Sequence, residues 1–219
     1  MKPWVTLATA TMSGGVGLEL LEHDGDYVIR AEGHVLMTSH EHDSEDAMMA
    51  LACPDPRADA RVLVGGLGMG YTLRAALTLL PEQASVTVAE LVPEVIEWNR
   101  GPLGPLAGYP LDDPRTELFS GNVRAAIEAG RGCFDAILLD VDNGPDASSR
   151  CASWLYRPEG LAATVRALRP GGAVAVWSVD RSPAFERRLR SAGLVSSSHM
   201  VHGHRGRGTR YVVFIGRKR

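Results

Sequence analysis

RVLVGGLGMG, residues 61–70, is a short apolar run that breaks into glycines. Arg61 to Val64 have the make-up of a buried strand, and Gly65, Gly66, Gly68 and Gly70 follow at once. Tyr71 to Leu80 then carries apolar residues at helical spacing. Strand, glycine turn and helix in this order form the nucleotide-binding opening of an α/β sheet. There the missing Cβ atoms let backbone approach a ligand closely.

The spacing of the glycines separates the ligands such a turn can serve. A triphosphate loop needs a Gly-Lys-Ser/Thr ending, which is absent. A dinucleotide fingerprint starting at Gly66 needs a third glycine at position 71, which is Tyr71. The pattern present is G-x-G-x-G at Gly66, Gly68 and Gly70, the form that lies under the sugar and tail of S-adenosylmethionine. The same run also serves an ordinary tight strand-to-helix turn.

The 219 residues suffice for one full core with a small extension. Hydrophobic content of 45%, charged content of 22% and a formal charge of −3 are ordinary globular values. They give no general pull toward nucleic acid or anionic membrane. The basic stretch from His202 to Arg219 reads as a solvated hairpin with a basic end. Cys53, Cys133 and Cys151 are odd in number and lack C-x-x-C spacing, as expected in a reducing cytoplasm without disulfides or a zinc knuckle. No signal peptide is expected, nor a membrane span of roughly 20 apolar residues.

Residues 16–39 alternate as three short strands, VGLELLE, DYVIRAE and HVLMTS, with turns at Asp24-Gly25 and Glu32-Gly33. Asp43 is placed to cap a helix whose apolar face holds Ala47, Met48, Leu51 and Ala52, stopped by Pro54 and Pro56. Residues 1–56 therefore read as a β-rich extension with one helix, and 57–219 as the main domain. There, strands at 86–90, 116–119, 134–140 and 173–178 alternate with helices at 93–99, 122–129, 158–168 and 183–192. Strands at 194–201 and 210–215 close the chain. The Gly/Pro-rich stretch 101–113 reads as a long, substrate-facing loop. Such alternation implies a Rossmann-like, doubly wound seven-stranded α/β sheet of class I methyltransferase type, its last strand antiparallel.

Ligands of such sheets bind beyond the carboxyl ends of the strands. Glu90 ends the second strand about 20 residues after the glycine turn, where a carboxylate accepts ribose hydroxyls. Asn122 either reads an adenine edge or caps the next helix. Asp140 is followed by Asp142, Asn143 and Asp146, and a carboxylate cluster over a nucleotide site implies a cation. Amine substrates and sulfonium donors are cations. Tyr156 and Trp154 can wall the site or serve as plain packing, and Cys151 reads as a loop cysteine. His40 and His42 near Glu45 lack a third ligand of convincing spacing, so no metal is expected.

At these residues the chain resembles the spermidine synthase (polyamine aminopropyltransferase) family. The likeness runs through the glycine turn, VTVAELVPEVIEWNR (86–100), FDAILLDVDNGPD (134–146), WLYRPEGLAA (154–163) and LRPGGAVAVWS (168–178). It extends to SHEHDSEDAMMALA (39–52), which carries Glu45. The resemblance implies a donor site of Gly65, Gly66, Gly68, Gly70, Glu90, Leu91 and Asn122. It also implies that Asp140, with Asp142 and Glu45, performs the acid–base work. Asp43, Asn143, Asp146 and Tyr156 would lie toward the acceptor, and a homodimer is implied.

The departures concern the donor. The family's glycine loop reads G-G-G-D-G-G and its aspartate holds the ammonium of decarboxylated S-adenosylmethionine; that position here is Gly68. The family's tyrosine two residues before the helix glutamate is Asp43, and its D-S-S-D is Asp140-Val141-Asp142-Asn143. An aspartate at 68 would repel the carboxylate of intact S-adenosylmethionine by on the order of a few kcal/mol. Glycine removes that repulsion and frees backbone N–H groups. The expected activity is therefore methyl transfer from S-adenosylmethionine, by in-line displacement, to a small amine-bearing acceptor. The alternatives are aminopropyl transfer from the decarboxylated donor to a diamine, aminocarboxypropyl transfer, and a nucleoside-binding regulatory protein without catalysis.

Overall fold

The computed structural model describes residues 3–12, 14–141, 143–146, 152–204 and 207–219. The chain begins with a four-stranded antiparallel sheet: β1 (Val5–Thr11), β2 (Gly17–His23), β3 (Asp26–Ala31) and β4 (His34–Thr38), in that order. Asp24 and Gly25 take φ of 49° and 90°, and Glu32 and Gly33 take 49° and 81°. Both are two-residue hairpin loops of the type that follows the sheet's right-handed twist. β1 is an addition to the three strands expected. Only Ala10 of its seven residues is buried, so no apolar alternation marks it. Pairing with β2, from Val5 opposite Glu22 to Thr11 opposite Gly17, defines it instead.

α1 (Asp43–Ala52) follows, and its cap differs from expectation. His42 holds the N-cap position, its carbonyl accepting from the N–H groups of Glu45 and Asp46, while Asp43 is the first helical residue. The buried face also turns by about one residue, to Ser44, Glu45, Met48, Met49 and Ala52. Two polar residues thus face inward where α1 packs on α2 (Tyr71–Leu79) and on the main sheet.

The main sheet has β5 (Arg61–Gly65), β6 (Ser85–Glu90), β7 (Thr116–Ser120), β8 (Phe134–Leu139), β9 (Leu168–Ser178), β10 (Leu194–His204) and β11 (Arg207–Lys218). Its spatial order is β10-β11-β9-β8-β5-β6-β7, and β11 runs antiparallel to both neighbours. The connecting helices are α2, α3 (Pro93–Arg100), α5 (Val123–Ala129), α6 (Pro158–Ala167) and α7 (Pro183–Ser191). The chain winds outward in both directions from β5 and β8, so the crevice opens at their carboxyl ends.

Alternate residues of the central strands divide the core in two. Val62, Val64, Ala136, Leu138, Ala173, Ala175, Val213 and Ile215 join the cluster that contains α1, α2 and the inner residues Leu18, Leu20 and Ile29 of the first sheet. Leu63, Ile137, Leu139, Val174, Val176 and Phe214 join Phe185, Leu161 and Tyr156 on the opposite face. The first sheet therefore shares one core with the main domain. The stretch 101–113 is not an open loop. It folds into α4 (Gly104–Ala107) and a 3-10 turn at Pro110–Asp112, packed on Gly70 through Ala107 and Pro110.

Gly66 is the tightest joint at the crevice. Its φ is +87°, and a Cβ there would lie 2.1 Å from the carbonyl oxygen of Asp140. Gly66→Ala should lose roughly 2–4 kcal/mol of stability, from the strained φ and the backbone clash together. Urea unfolding of the two proteins measures it.

Candidate active site

The glycine turn is wired to Glu90 through backbone. The Gly66 N–H donates to the Ala89 carbonyl at 2.9 Å. The Leu67 N–H donates to Glu90 Oε2 at 2.9 Å and the Val92 N–H to Oε1 at 2.8 Å. Burial pushes the Glu90 carboxyl up, opposed by the N–H groups of Val92, Leu67, Leu91 and Gly68. Leu91 thus reaches the site through its backbone. The Leu67 and Gly68 N–H groups, expected to be freed for a donor carboxylate, are already directed at Glu90. The Glu90 carboxylate, held by these N–H groups, stands at the carboxyl end of β6, where such a sheet presents an acid to a ribose.

Gly68 has φ +53°, and a Cβ there would meet Met37 Sδ at 2.6 Å. The thioether of β4 therefore lies on the glycine turn. Asn99 of α3 fixes the same residue from the other side, its Nδ2 donating to the Gly68 carbonyl at 2.8 Å. Gly70, at φ 86°, is the left-handed N-cap of α2.

Asp140 follows β8 directly. Its N–H donates to the Gly65 carbonyl at 2.9 Å, which sets its backbone against the glycine turn. Its Oδ2 accepts the hydroxyl of Thr72, in the first turn of α2, at 2.7 Å. Glu45 enters from α1 and is 5% exposed. The Ser44 hydroxyl donates to Glu45 Oε2, and the Trp177 Nε1–H donates to Ser44 Oγ at 3.1 Å. Burial, and next the negative charge of Asp140, push the Glu45 carboxyl up to about 8. Burial raises Asp140 to about 6, with the Thr72 hydrogen bond opposing it. Burial thus favours the protonated form of both carboxyls, and more strongly at Glu45.

The approach to α1 is anchored on two sides. His42 stacks on Tyr71 with ring centroids 4.3 Å apart, and Arg74 grips both oxygens of Asp46 at 2.7 and 2.8 Å. The Tyr71 hydroxyl donates to the Ser39 carbonyl at 3.0 Å. Glu41 accepts from the Tyr211 hydroxyl at 3.0 Å and from Thr209 at 3.1 Å. His42, Asp43 and Asp46 offer ligand atoms within 4.8 Å of one another. Arg74 already supplies a cation to Asp46 there.

The remaining expected site residues divide. Asn122 caps α5, its Oδ1 accepting from the Arg124 N–H at 2.9 Å. The Asn143 carbonyl accepts from the Val179 N–H at 3.2 Å. Asp43 lies beside the His42 ring at 3.8 Å, at the mouth of α1. Asp146 is turned outward, its side chain 63% exposed and paired with Arg188 of α7 at 3.2 Å. Tyr156 is buried in the core edge-on to Phe185, with centroids 5.7 Å apart, and forms no wall of the crevice. Asp142 and Cys151 lie outside the described residues. Thr72, Ser44, Trp177, Met37 and Asn99 are additions that sequence reading missed. The one local signal is a hydroxyl beside an acid in Ser44-Glu45 and a hydroxyl in the turn after the glycines.

The seven-stranded sheet with its antiparallel β11 is the class I S-adenosylmethionine-dependent methyltransferase fold. Within it the chain is spermidine synthase-like, in fold and in sequence. No protein-family model matches it. It is 35% identical over 152 residues to polyamine aminopropyltransferase 2 of Pseudomonas aeruginosa, covering 64% of this chain and 41% of that one. It is 34% identical over 155 residues to the polyamine aminopropyltransferase of Nitrosomonas europaea, covering 68% and 45%. The chain thus spans less than half the length of these two relatives. Spermidine synthase of Thermotoga maritima superposes with a TM-score of 0.74 at 19% identity, over 98% of this chain and 72% of that one. A spermidine synthase in complex with the transition-state analogue AdoDATO gives 0.73 at 18% identity. Among the described residues no helix is long and apolar enough to cross a membrane.

The acid pair makes stability depend on pH with a definite sign. Glu45 titrates near 4.5 as an ordinary carboxyl and at about 8 in the fold. Below pH 4.5 both states hold the proton and nothing is lost. Above it the unfolded chain releases its proton first, so stability falls with rising pH until the folded group also titrates. Across that window Glu45→Gln should remove most of the fall, on the order of a few kcal/mol. Chemical denaturation at pH 5, 6, 7 and 8 reads it; equal slopes for the two proteins would contradict the burial of this proton.

Proposed function

We propose that this chain moves the aminopropyl arm of decarboxylated S-adenosylmethionine to an amine acceptor. The observation that carries the reading is the pairing of buried Glu45 with half-buried Asp140 beside the glycine turn. Two carboxylates with no cation among their described contacts call for a cationic ligand, and both an amine and a sulfonium supply one. The names of the relatives support aminopropyl over methyl transfer. The Gly66–Asp140 approach and the Glu90 carboxylate suit the nucleoside end of the donor.

In this reading the amine binds as ammonium against ionised Asp140, loses a proton to it, and attacks the carbon bonded to sulfur. The carbon–nitrogen bond forms as the carbon–sulfur bond breaks, and its electron pair leaves on sulfur as a neutral thioether. The leaving group needs no acid, so the chain's contribution is to position the reactants, for which about 7–11 kcal/mol is available. Protonated Glu45 leaves one negative charge in the pair, matched to one ammonium. Gly68 favours a second reading, methyl or aminocarboxypropyl transfer from intact S-adenosylmethionine, because no carboxylate stands at that position to repel the donor's own.

Calorimetric titration with each donor separates the two readings. The decarboxylated form should bind at least about tenfold more tightly, equivalent to about 1.4 kcal/mol. Preference for intact S-adenosylmethionine would move the function to the second reading, and binding of neither would remove both. Asp140→Asn should retain donor binding while turnover with diamines falls by about 100-fold or more. Unchanged turnover would take Asp140 out of the chemistry.

A further inference from the structure

Neither the fold nor the relatives assign a role to Thr72. It is the second residue of α2, 2% exposed, and its hydroxyl donates to Asp140 Oδ2 at 2.7 Å. A threonine inside a helix commonly turns its hydroxyl back to the carbonyl four residues earlier. Here that carbonyl, on Gly68, accepts the Asn99 amide at 2.8 Å. Gly68 also precedes the helix, and the Thr72 hydroxyl goes to the carboxylate across the crevice.

Each of the two acids accepts one hydroxyl. Glu45 accepts from Ser44, whose oxygen in turn accepts the Trp177 N–H. Asp140 accepts from Thr72. A hydroxyl proton bonds more strongly to an anion than to a neutral carboxyl, so it favours the ionised form of whichever acid it faces. Glu45 is the charged group that acts on Asp140, and Asp46 and Tyr71 lie around Glu45 in turn. Glu90 is occupied by backbone N–H groups and Asp46 by Arg74. The glycines of the turn carry no charge, and Trp177 of β9 faces Ser44.

We propose that Thr72 is a positioning residue: its hydroxyl stabilises Asp140 as an anion and fixes one carboxylate oxygen, leaving Oδ1 for the cation that the site binds. The consequence for catalysis rests on the alkyl-transfer reading above; the placement of the charge does not. Because Thr72 lies two residues from the Gly70 cap, the donor turn and the acid are set by the same helical turn. A shift of α2 on donor binding would move the Asp140 carboxylate with it.

The test follows the Asp140 side chain directly, by carbon NMR of protein labelled at the aspartate carboxyl carbons, with Asp140→Asn identifying the resonance. Thr72→Val keeps the shape and removes the donor. It should raise the Asp140 midpoint by about one pH unit, the worth of one hydrogen bond to a charged group, and lower the ionised fraction and turnover at pH 7 by about twofold. Thr72→Ser should keep both near wild type. Thr72→Ala provides the same readout if the valine variant does not fold. An unchanged Asp140 midpoint in a folded variant lacking the hydroxyl would overturn the inference, as would equal shifts in the serine and valine variants. Both outcomes are readable even if neither donor binds, a result that would remove the alkyl-transfer reading alone.

Discussion

The site depends on one close approach, the backbone of Gly66 against the carbonyl of Asp140. Two neighbouring parallel strands, β5 and β8, end side by side, and the chain must leave each without colliding with the other. Any Cβ at Gly66 would occupy the space of that carbonyl. The Asp140 N–H is spent on Gly65 and the Gly66 N–H on Ala89, so three strand ends are tied through backbone alone. Side chains are then added to a fixed frame: Glu90 from one side, Asp140 from another, and α2 rising from Gly70 between them.

On that frame the molecule tolerates an arrangement that ordinary folding disfavours. Two carboxyl groups are brought near each other, Glu45 buried and Asp140 half-buried, so that both are pushed toward the protonated form while each is given a hydroxyl. Replacement by apolar residues would stabilise the fold more. Such a sacrifice of stability is expected where a charged ligand completes the site. The acids come from opposite ends of the architecture. Asp140 belongs to the sheet, whereas Glu45 stands on the helix that joins the first sheet to the main one.

The sequence makes the sheet legible because glycine and proline punctuate it: Gly65 to Gly70, Pro93, Pro158 and Pro183 mark the starts of helices, and the apolar runs between them are strands. Strand order and the antiparallel β11 follow from that alternation. β1 escapes notice because its stability comes from pairing with β2 rather than from burying side chains. The inward turn of Ser44 and Glu45 escapes for a related reason. Helical periodicity assigns faces by hydrophobicity, and a buried acid violates that pattern until its partners, Trp177 and Asp140, are known to be near. Glu90 and Asp140 are readable because strand ends fix where they point. Asp146 and Tyr156 are not, since a loop can carry them away: Asp146 to Arg188 on the surface, and Tyr156 under Phe185 in the core. Thr72 shows in one dimension only as a hydroxyl in the turn after the glycines, as its partner lies 68 residues away.

The anchoring of Glu41 has a consequence in time as well as in space. Glu41, four residues ahead of Glu45, accepts hydrogen bonds from Thr209 and Tyr211, the latter 170 positions along the chain. The same segment meets the hairpin again where His204 contacts the His40 carbonyl. Contacts of such long range form late, because the loop they close must first be ordered. The glycine turn and Glu90 join across 23 positions, whereas the entrance to α1 gains its anchors only when the β10–β11 hairpin docks. The part that suits the nucleoside therefore closes a far shorter loop than the part that sets the acids, and can form ahead of it.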